Sequence, residues 1–216
     1  MALALCWALL VSAACGSAEE AADTEDAYLV DTSSDGVDAE PGDGVCATVS
    51  ETCTLRAAIQ EANAAGGGHI RIEPGLRITL ELEGHGEDDA ATGDLDITAD
   101  VTIEGQGATI DADGIDRVLH VHAGTTTVSE LTILGGDLTE ITGSNTASWG
   151  NDGGGRNANR SRVMDFWGAG VLVEAGASLV GQGAVVRRNR AVGGGGLAAL
   201  PGATVRLERS AIFKML

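Results

Sequence analysis

The sequence predicts an all-β fold in which short parallel strands stack as successive coils of a solenoid. Three segments share one frame, in which alternating apolar residues lead into a turn glycine. The turn glycines of the three segments are Gly124, Gly176 and Gly202. These glycines lie 52 and then 26 residues apart, and we interpret the spacings as two repeat periods followed by one. A segment that begins at Gly93 fits the same frame 24 residues ahead of the next one. Fixed periods of this length are typical of stacked repeats.

The composition limits the classes of function. The chain has 216 residues, with 32 acidic against 13 basic side chains and a formal net charge of -19, which disfavours nucleic acid and anionic membrane surfaces as partners. Hydrophobic residues make up 44%, enough for a core, and no stretch reaches the roughly 18 apolar residues of a membrane span. We expect one domain after a leader, and a monomer.

The N-terminus has the outline of an export signal. Residues 1–14 are apolar, and the chain becomes acidic and small directly after Cys15. The surrounding sequence VSAACGS resembles a bacterial lipobox, which implies that Cys15 is lipidated and that the protein is an outer-membrane lipoprotein. The alternative is a simple cleaved signal and an extracellular protein. Residues 15–27 then form an acidic tether.

Two cysteines remain after the leader. Cys46 and Cys53 flank a short loop, and a close pair in an exported chain is most simply a disulfide. A zinc site is the alternative, and it needs two further ligands.

One helix is predicted directly after the second of these cysteines. Thr54 can cap it, and glycines from Gly66 to Gly68 end it. Leu55, Ala58, Ile59 and Ala62 fall on one face at helical spacing. So small an apolar face must lie against a larger surface.

These residues resemble the CSLREA domain. The resemblance lies in Val30-Asp31-Thr32, in the GDGVC turn at residues 42–46 and in CTLRAAIQEANA at residues 53–64. It implies that residues 28–68 are an N-terminal cap on a bacterial surface or secreted protein whose residues 69–216 form a single-stranded right-handed parallel β-helix, the pectin-lyase-like solenoid. Thr54 replaces the serine of the signature, and Ala57 replaces its glutamate, which removes the acidic partner of a capping box. The family carries no assigned reaction.

Alternation along the strands assigns their two faces, since successive side chains point in opposite directions. We expect about five coils. Two rows point inward: Leu95, Leu119, Val171 and Leu197, then Ile97, Val121, Val173 and Ala199. Two rows point outward: Asp96, His120, Leu172 and Ala198, then Thr98, His122, Glu174 and Leu200.

The outward rows contain the candidate for a catalytic cluster. Asp96, His120, His122 and Glu174 are neighbours on adjacent coils if the frame is correct. Carboxylates and imidazoles placed together can bind a metal or move a proton. The alternative is an ordinary solvated surface, because both rows become apolar further along.

A second candidate is a calcium site in the acidic turn region. Its possible ligands are Asp31, Asp35, Asp38 and Asp43, although their spacing differs from that of an EF-hand. A plain acidic turn is the alternative. We expect no other cofactor.

Residues 135–167 show little alternation and predict a protruding loop, with a degenerate coil as the alternative. Trp149, Phe166 and Trp167 lie in or beside it. They could stack on sugar rings or contact a protein partner, or they could hold the loop against the solenoid. The last residues bring no polar capping coil, so we expect a C-terminally truncated chain.

The sequence therefore favours a non-enzymatic exported cell-surface protein for adhesion or surface interaction, with carbohydrate or a surface protein as its partner. The alternative is a polysaccharide lyase or glycoside hydrolase of the same fold.

Overall fold

The computed structural model describes residues 27–139 and 167–213, which form one helix and three parallel sheets. The helix, α1, spans Leu55–Ala65. The six-stranded sheet has the order β1 (Ala27–Val30), β2 (Gly67–Ile72), β5 (Asp100–Glu104), β8 (Thr125–Ser129), β11 (Ser178–Gln182), β14 (Thr204–Glu208). The five-stranded sheet has the order β3 (Arg77–Thr79), β6 (Thr109–Asp111), β9 (Thr132–Leu134), β12 (Val185–Arg187), β15 (Ala211–Ile212). The four-stranded sheet has the order β4 (Leu95–Ile97), β7 (Leu119–Val121), β10 (Val171–Val173), β13 (Leu197–Ala199).

The chain visits the three sheets in a fixed rotation. Strands β4, β5 and β6 lie one in each sheet, and the same order repeats in β7 to β9, β10 to β12 and β13 to β15. Each strand pairs in parallel with the strand one rotation away. The predicted mostly-β, parallel-strand architecture is therefore confirmed.

The predicted register is also confirmed in the four-stranded sheet. Leu119 is opposite Leu95 on one side and Val171 on the other, and Val171 is opposite Leu197. Six of the eight predicted inward residues are completely buried in one continuous apolar core between the sheets. Leu197 is only partly buried against that core, and the inward prediction for Ala199 is wrong, because Ala199 is exposed and its neighbour Ala198 is buried instead. Burial of these aliphatic side chains is the main stabilising term of the fold.

The predicted interpretation of the 52-residue spacing is wrong. Strand β7 pairs directly with β10, and β9 pairs directly with β12, so this spacing corresponds to one rotation of the chain rather than two. Residues 140–166 connect these strands and lie outside the described residues, as do Trp149 and Phe166. The predicted signal and Cys15 fall outside them as well.

The predicted helix is confirmed at both ends. The hydroxyl of Thr54 accepts a hydrogen bond from the amide of Ala57 at 3.1 Å, and Gly66 ends the helix with a φ of 80°. The first eight residues of α1 are all buried, and the helix packs against β1, β2, β4 and β5. Within the described residues no helix is long and apolar enough to cross a membrane.

A compact turn region precedes the helix. Cys46 and Cys53 form the predicted disulfide, with an S–S distance of 2.03 Å. Glu61 accepts hydrogen bonds from the amides of Gly42 and Gly44 at 2.6 and 2.9 Å, and so joins the helix to the GDGVC turn. The turn region and α1 therefore form one unit at the β4 end of the sheets.

Candidate functional site

The structure brings the four predicted cluster residues together on the four-stranded sheet. Asp96 in β4 and His120 in β7 are opposite each other in the parallel pairing, and His122 directly follows β7. Glu174 directly follows β10 on the next strand. The alternation of the strands thus places all four side chains on one face.

The side chains are in direct contact. The Nε2 atom of His122 lies 2.7 Å from Oδ1 of Asp96, and Nδ1 of His120 lies 3.5 Å from the same oxygen. The other ring nitrogen of His120 lies 3.1 Å from Oε1 of Glu174. The two imidazole centroids are 3.6 Å apart. One carboxylate oxygen is therefore shared by two imidazoles.

The face is covered, so the expectation of a solvated surface is wrong. Asp96 is completely buried, and the side chains of His120 and His122 are only 12% and 19% exposed. The cover is the irregular stretch of residues 82–94, called here the 82–94 segment. Its Ala90 is buried, and the Ala90 amide donates to Oδ2 of Asp96 at 3.2 Å. Both oxygens of Asp96 thus have protein partners.

Helix α1 holds the 82–94 segment in this position. The guanidinium of Arg56 donates to the carbonyls of Gly93 at 2.8 Å and Ala90 at 3.2 Å, and the amide of Gln60 donates to the Ala90 carbonyl at 3.2 Å. Arg56 is itself paired with Asp35 at 2.7 Å. The turn region, α1 and the cluster are therefore parts of one polar network.

Sequence reasoning missed several members of this network. Asp94 accepts from Arg117 at 2.7 Å, and Asp116 lies 3.0 Å from Nδ1 of His85. Asp94 has the same alternation parity as Asp96, so extending the outward row by one step would have found it. The contacts of Asp116 and His85 depend on the irregular 82–94 segment, for which no periodic signal exists.

Burial and pairing separate the acidities of the two central carboxyls. Burial raises the pKa of Asp94 to about 6, and Asp116 and Asp96 add to the rise while Arg117 opposes it. Burial acts in the same direction on Asp96, but the imidazoles of His120 and His122 outweigh it and lower the Asp96 pKa. For His122, burial acts to lower the pKa, but its hydrogen bond to the Asp96 carboxylate and the charge of that carboxylate outweigh burial, and the pKa is raised. Asp94 therefore holds its proton more tightly than Asp96 does.

A fifth residue completes a possible metal-binding set. Oδ1 of Asp88, on the 82–94 segment, lies 3.8 Å from Nε2 of His122. One ligand atom each from Asp88, Asp96, His120 and His122 lies within 4.8 Å of the others. In the described part of the chain this is the one group of at least three potential ligands that comes this close together.

The four aspartates of the calcium hypothesis have separate surroundings. Asp35 is paired with Arg56 and also accepts from the amides of Glu81 and Leu82 at 2.8 and 3.1 Å. Asp38 accepts from two backbone amides, and Asp43 accepts from the amide of Val45. Asp31 is exposed. The calcium site stays a prediction, and its ligands would have to exchange these partners.

Trp167 is the one member of the predicted aromatic group that the structure describes. It is 36% exposed and forms an isolated parallel bridge with Gly193. A methyl group built on Gly193 would meet the indole nitrogen at 2.7 Å, so the ring packs against this glycine. The carbonyl of Trp167 accepts from Arg117 at 3.3 Å. Trp167 thus contacts both the cluster network and the neighbouring strand connection.

No family model, no curated protein and no solved structure matches the chain. Membership of the CSLREA family stays a prediction. Two residues of the segment 53–64, which resembles the CSLREA signature, have defined contacts. Leu55 is buried in the core, and Arg56 joins the turn region to the 82–94 segment.

Proposed function

We propose that the protein is a non-enzymatic exported cell-surface protein, built as a single-stranded right-handed parallel β-helix, that presents its outer faces for adhesion or surface interaction. One observation carries the choice: the cluster of Asp96, His120 and His122 contacts the 82–94 segment and helps to hold it on the sheet. Asp96 is buried with both oxygens engaged, and the segment above it is bonded to α1. A substrate would have to displace these contacts, whereas a display scaffold needs them.

The rest of the proposal concerns location and partner. The apolar leader at residues 1–14 and the cysteine that follows support export and attachment to the outer membrane through Cys15. The formal charge of -19 favours a neutral or cationic partner, so a carbohydrate or a surface protein fits better than a nucleic acid. Intact mass and membrane fractionation, with Cys15→Ala as the control, test the anchor. A soluble product without lipid mass would contradict it.

The functional test compares binding with turnover. The purified full chain is applied to immobilised glycans and to cell surfaces, and in parallel to acidic polysaccharides with detection of new chain ends. We expect saturable binding without product. We also expect His120→Gln to leave binding unchanged, because its side chain is only 12% exposed. Turnover by the wild type would overturn the proposal.

A polysaccharide lyase or glycoside hydrolase is the second candidate. It is favoured by two adjacent carboxyls, because the pKa of Asp94 is raised to about 6 and the pKa of Asp96 is lowered. Asp94 could therefore donate a proton while ionised Asp96 accepts one. This function requires the 82–94 segment to open. Loss of product formation in Asp94→Asn would support the enzyme, provided that His69→Ala retains it. His69→Ala is the control because His69 is a carboxylate-paired histidine on another sheet.

A further inference from the structure

We propose that Asp88, Asp96, His120 and His122 bind one divalent transition-metal ion, with zinc as the best fit, and that this ion joins the 82–94 segment to the four-stranded sheet. The site is a structural one, and the proposal does not depend on the proposed adhesive function.

The spacing of the ligand atoms is the first argument. Ligands about 2.1 Å from a tetrahedral zinc ion lie about 3.4 Å from one another. Oδ1 of Asp96 lies 2.7 Å from Nε2 of His122 and 3.5 Å from Nδ1 of His120. Oδ1 of Asp88 lies 3.8 Å from Nε2 of His122. All four atoms lie within 4.8 Å of one another. A tetrahedral site requires changes of about 1 Å in these separations, and the exposed side chain of Asp88 has room to move toward the other three ligands.

The chemistry of the donors selects the kind of metal. Two imidazole nitrogens and two carboxylate oxygens suit zinc and other late first-row ions. Calcium takes six to eight oxygen ligands, and magnesium requires near-octahedral oxygen coordination. Two histidines in contact with one buried carboxylate therefore point away from calcium and magnesium.

The surroundings of His120 provide a second and independent argument. Its Nε2 atom lies 3.1 Å from Oε1 of Glu174, while its Nδ1 atom points at Asp96. A metal-binding histidine normally donates its other N–H to a carboxylate or carbonyl, which fixes the tautomer and the ring orientation. Glu174 occupies that position for His120. Its carboxylate would orient the ring so that the Nδ1 lone pair faces the ion.

The local charge also favours a cation. Asp88, Asp94, Asp96 and Glu174 surround the two imidazoles, and Arg117 is the guanidinium that contacts His120. Nη1 of Arg117 lies 3.4 Å from Nδ1 of His120 and 2.7 Å from Asp94. Metal binding therefore requires Arg117 to give up the contact with His120 and to keep its contact with Asp94.

The position of Asp88 gives the ion a structural consequence. Asp96, His120 and His122 belong to the strands of the sheet or directly follow them, whereas Asp88 belongs to the 82–94 segment and its side chain is 75% exposed. Without the ion, α1 holds this segment mainly near Ala90 and Gly93. The ion would add a fixed point at Asp88, five residues ahead of Gly93.

The test is calorimetric titration of Zn²⁺ into the untagged, chelator-treated full chain with Cys6 and Cys15 changed to serine, so that no thiol of the leader competes. We expect one ion per chain. His122→Ala should weaken binding more than 100-fold, because it removes a ligand, and Glu174→Gln by about 10–100-fold, because it alters only the partner of a ligand. His69→Ala is the matched control, since His69 also contacts a carboxylate, Glu104 at 3.1 Å, but on the six-stranded sheet. It should bind zinc like the parent.

Two measurements on the parent chain guard against variants that fail to fold. Co²⁺ should give the intense visible absorption of a tetrahedral site, and Zn²⁺ should slow proteolysis within residues 82–94. The proposal is overturned if zinc binding survives His122→Ala, if His69→Ala weakens binding equally, or if Ca²⁺ binds in place of zinc. It is also overturned if Co²⁺ gives only weak octahedral absorption.

Discussion

The guanidinium of Arg56 joins three parts of the chain that are distant in sequence. It is paired through two nitrogens with Asp35 and donates to the carbonyls of Ala90, Gly93 and Asp94. Both side chains of the ion pair are almost completely buried. Removal of one partner leaves the other charge buried and unpaired, which costs far more than the pair itself contributes.

Arg56→Ala is therefore expected to lower the free energy of unfolding by about 3–5 kcal/mol. Urea denaturation followed by circular dichroism measures the change. Arg206→Ala is the control, because Arg206 and its partner Glu208 are 71% and 42% exposed and such pairs contribute less than about 1 kcal/mol. Equal losses in the two variants would contradict the assigned role of Arg56.

Tyr28 gives a second prediction at this scale, since it is the single tyrosine of the chain. Partial burial raises its pKa, and the carboxylates of Glu61, Asp38 and Asp43 add to the rise. The phenolate absorbance of the folded protein should therefore have its midpoint above the ordinary value of about 10. A folded pKa above the unfolded one means that stability falls as the pH rises from the unfolded pKa through the folded one. Identical midpoints in buffer and in urea would contradict this expectation.

The residues of the site were more predictable than their environment. Strand alternation correctly placed Asp96, His120, His122 and Glu174 on one face, because the period of two is a property of the strand itself. Their burial was not predicted, because it depends on the 82–94 segment. That segment has no regular secondary structure, and its position is set by contacts to Arg56 and Gln60 far away in sequence.

At the scale of elements, the bends that follow strands of the six-stranded sheet share an unusual backbone conformation. Glu130 directly follows β8 with a φ of 48°, Gly183 directly follows β11 with a φ of 66°, and Arg209 directly follows β14 with a φ of 50°. Left-handed φ values are unfavourable for residues with a Cβ. Gly183 is thus the member of the series that adopts the bend at the lowest cost.

Gly183→Ala should lower stability by about 1 kcal/mol, because the new methyl group meets no atom closer than 3.7 Å and only the φ angle is strained. Gly136→Ala is the matched variant: its methyl group would lie 1.9 Å from the carbonyl oxygen of Ala169. It should destabilise the protein by several-fold more, because the backbones of adjacent turns would have to separate. Thermal unfolding of both variants tests the distinction. A similar loss in the two would show that the strands can move apart easily.

The elements also show what sequence spacing does and does not determine. The helix was predicted with the correct cap at Thr54 and the correct end at Gly66, because both signals are local. The 52-residue spacing was misinterpreted, because strand pairing is set by the apolar rows that meet in the core. A long connection between β9 and β10 does not disturb the pairing of β7 with β10.

At the scale of the whole molecule, the two ends of the described sheets differ. At the β4 end, Asn63 of α1 donates to the carbonyl of Asp96 at 2.8 Å and accepts from the amide of Thr98 at 2.9 Å. Its side-chain amide thus occupies backbone groups that a further strand would otherwise use. At the other end, Leu207, Ile212 and Phe213 are exposed, and strands β13 to β15 each pair on one side only within the described residues.

This asymmetry predicts a gradient of local stability along the stack. In an architecture of nearest-neighbour contacts, each rotation of the chain is stabilised mainly by the two beside it. Strands β4 to β8 have a neighbouring strand or α1 on both sides and contribute the most buried aliphatic residues, whereas β13 to β15 contribute few. Amide hydrogen exchange of the full chain, followed by mass spectrometry, should therefore be slowest in β5 and β8 and fastest in β14 and β15. Equal protection of β14 and β5 would show instead that the sheets open as a single cooperative unit, or that contacts outside the described residues cover the β13 to β15 end.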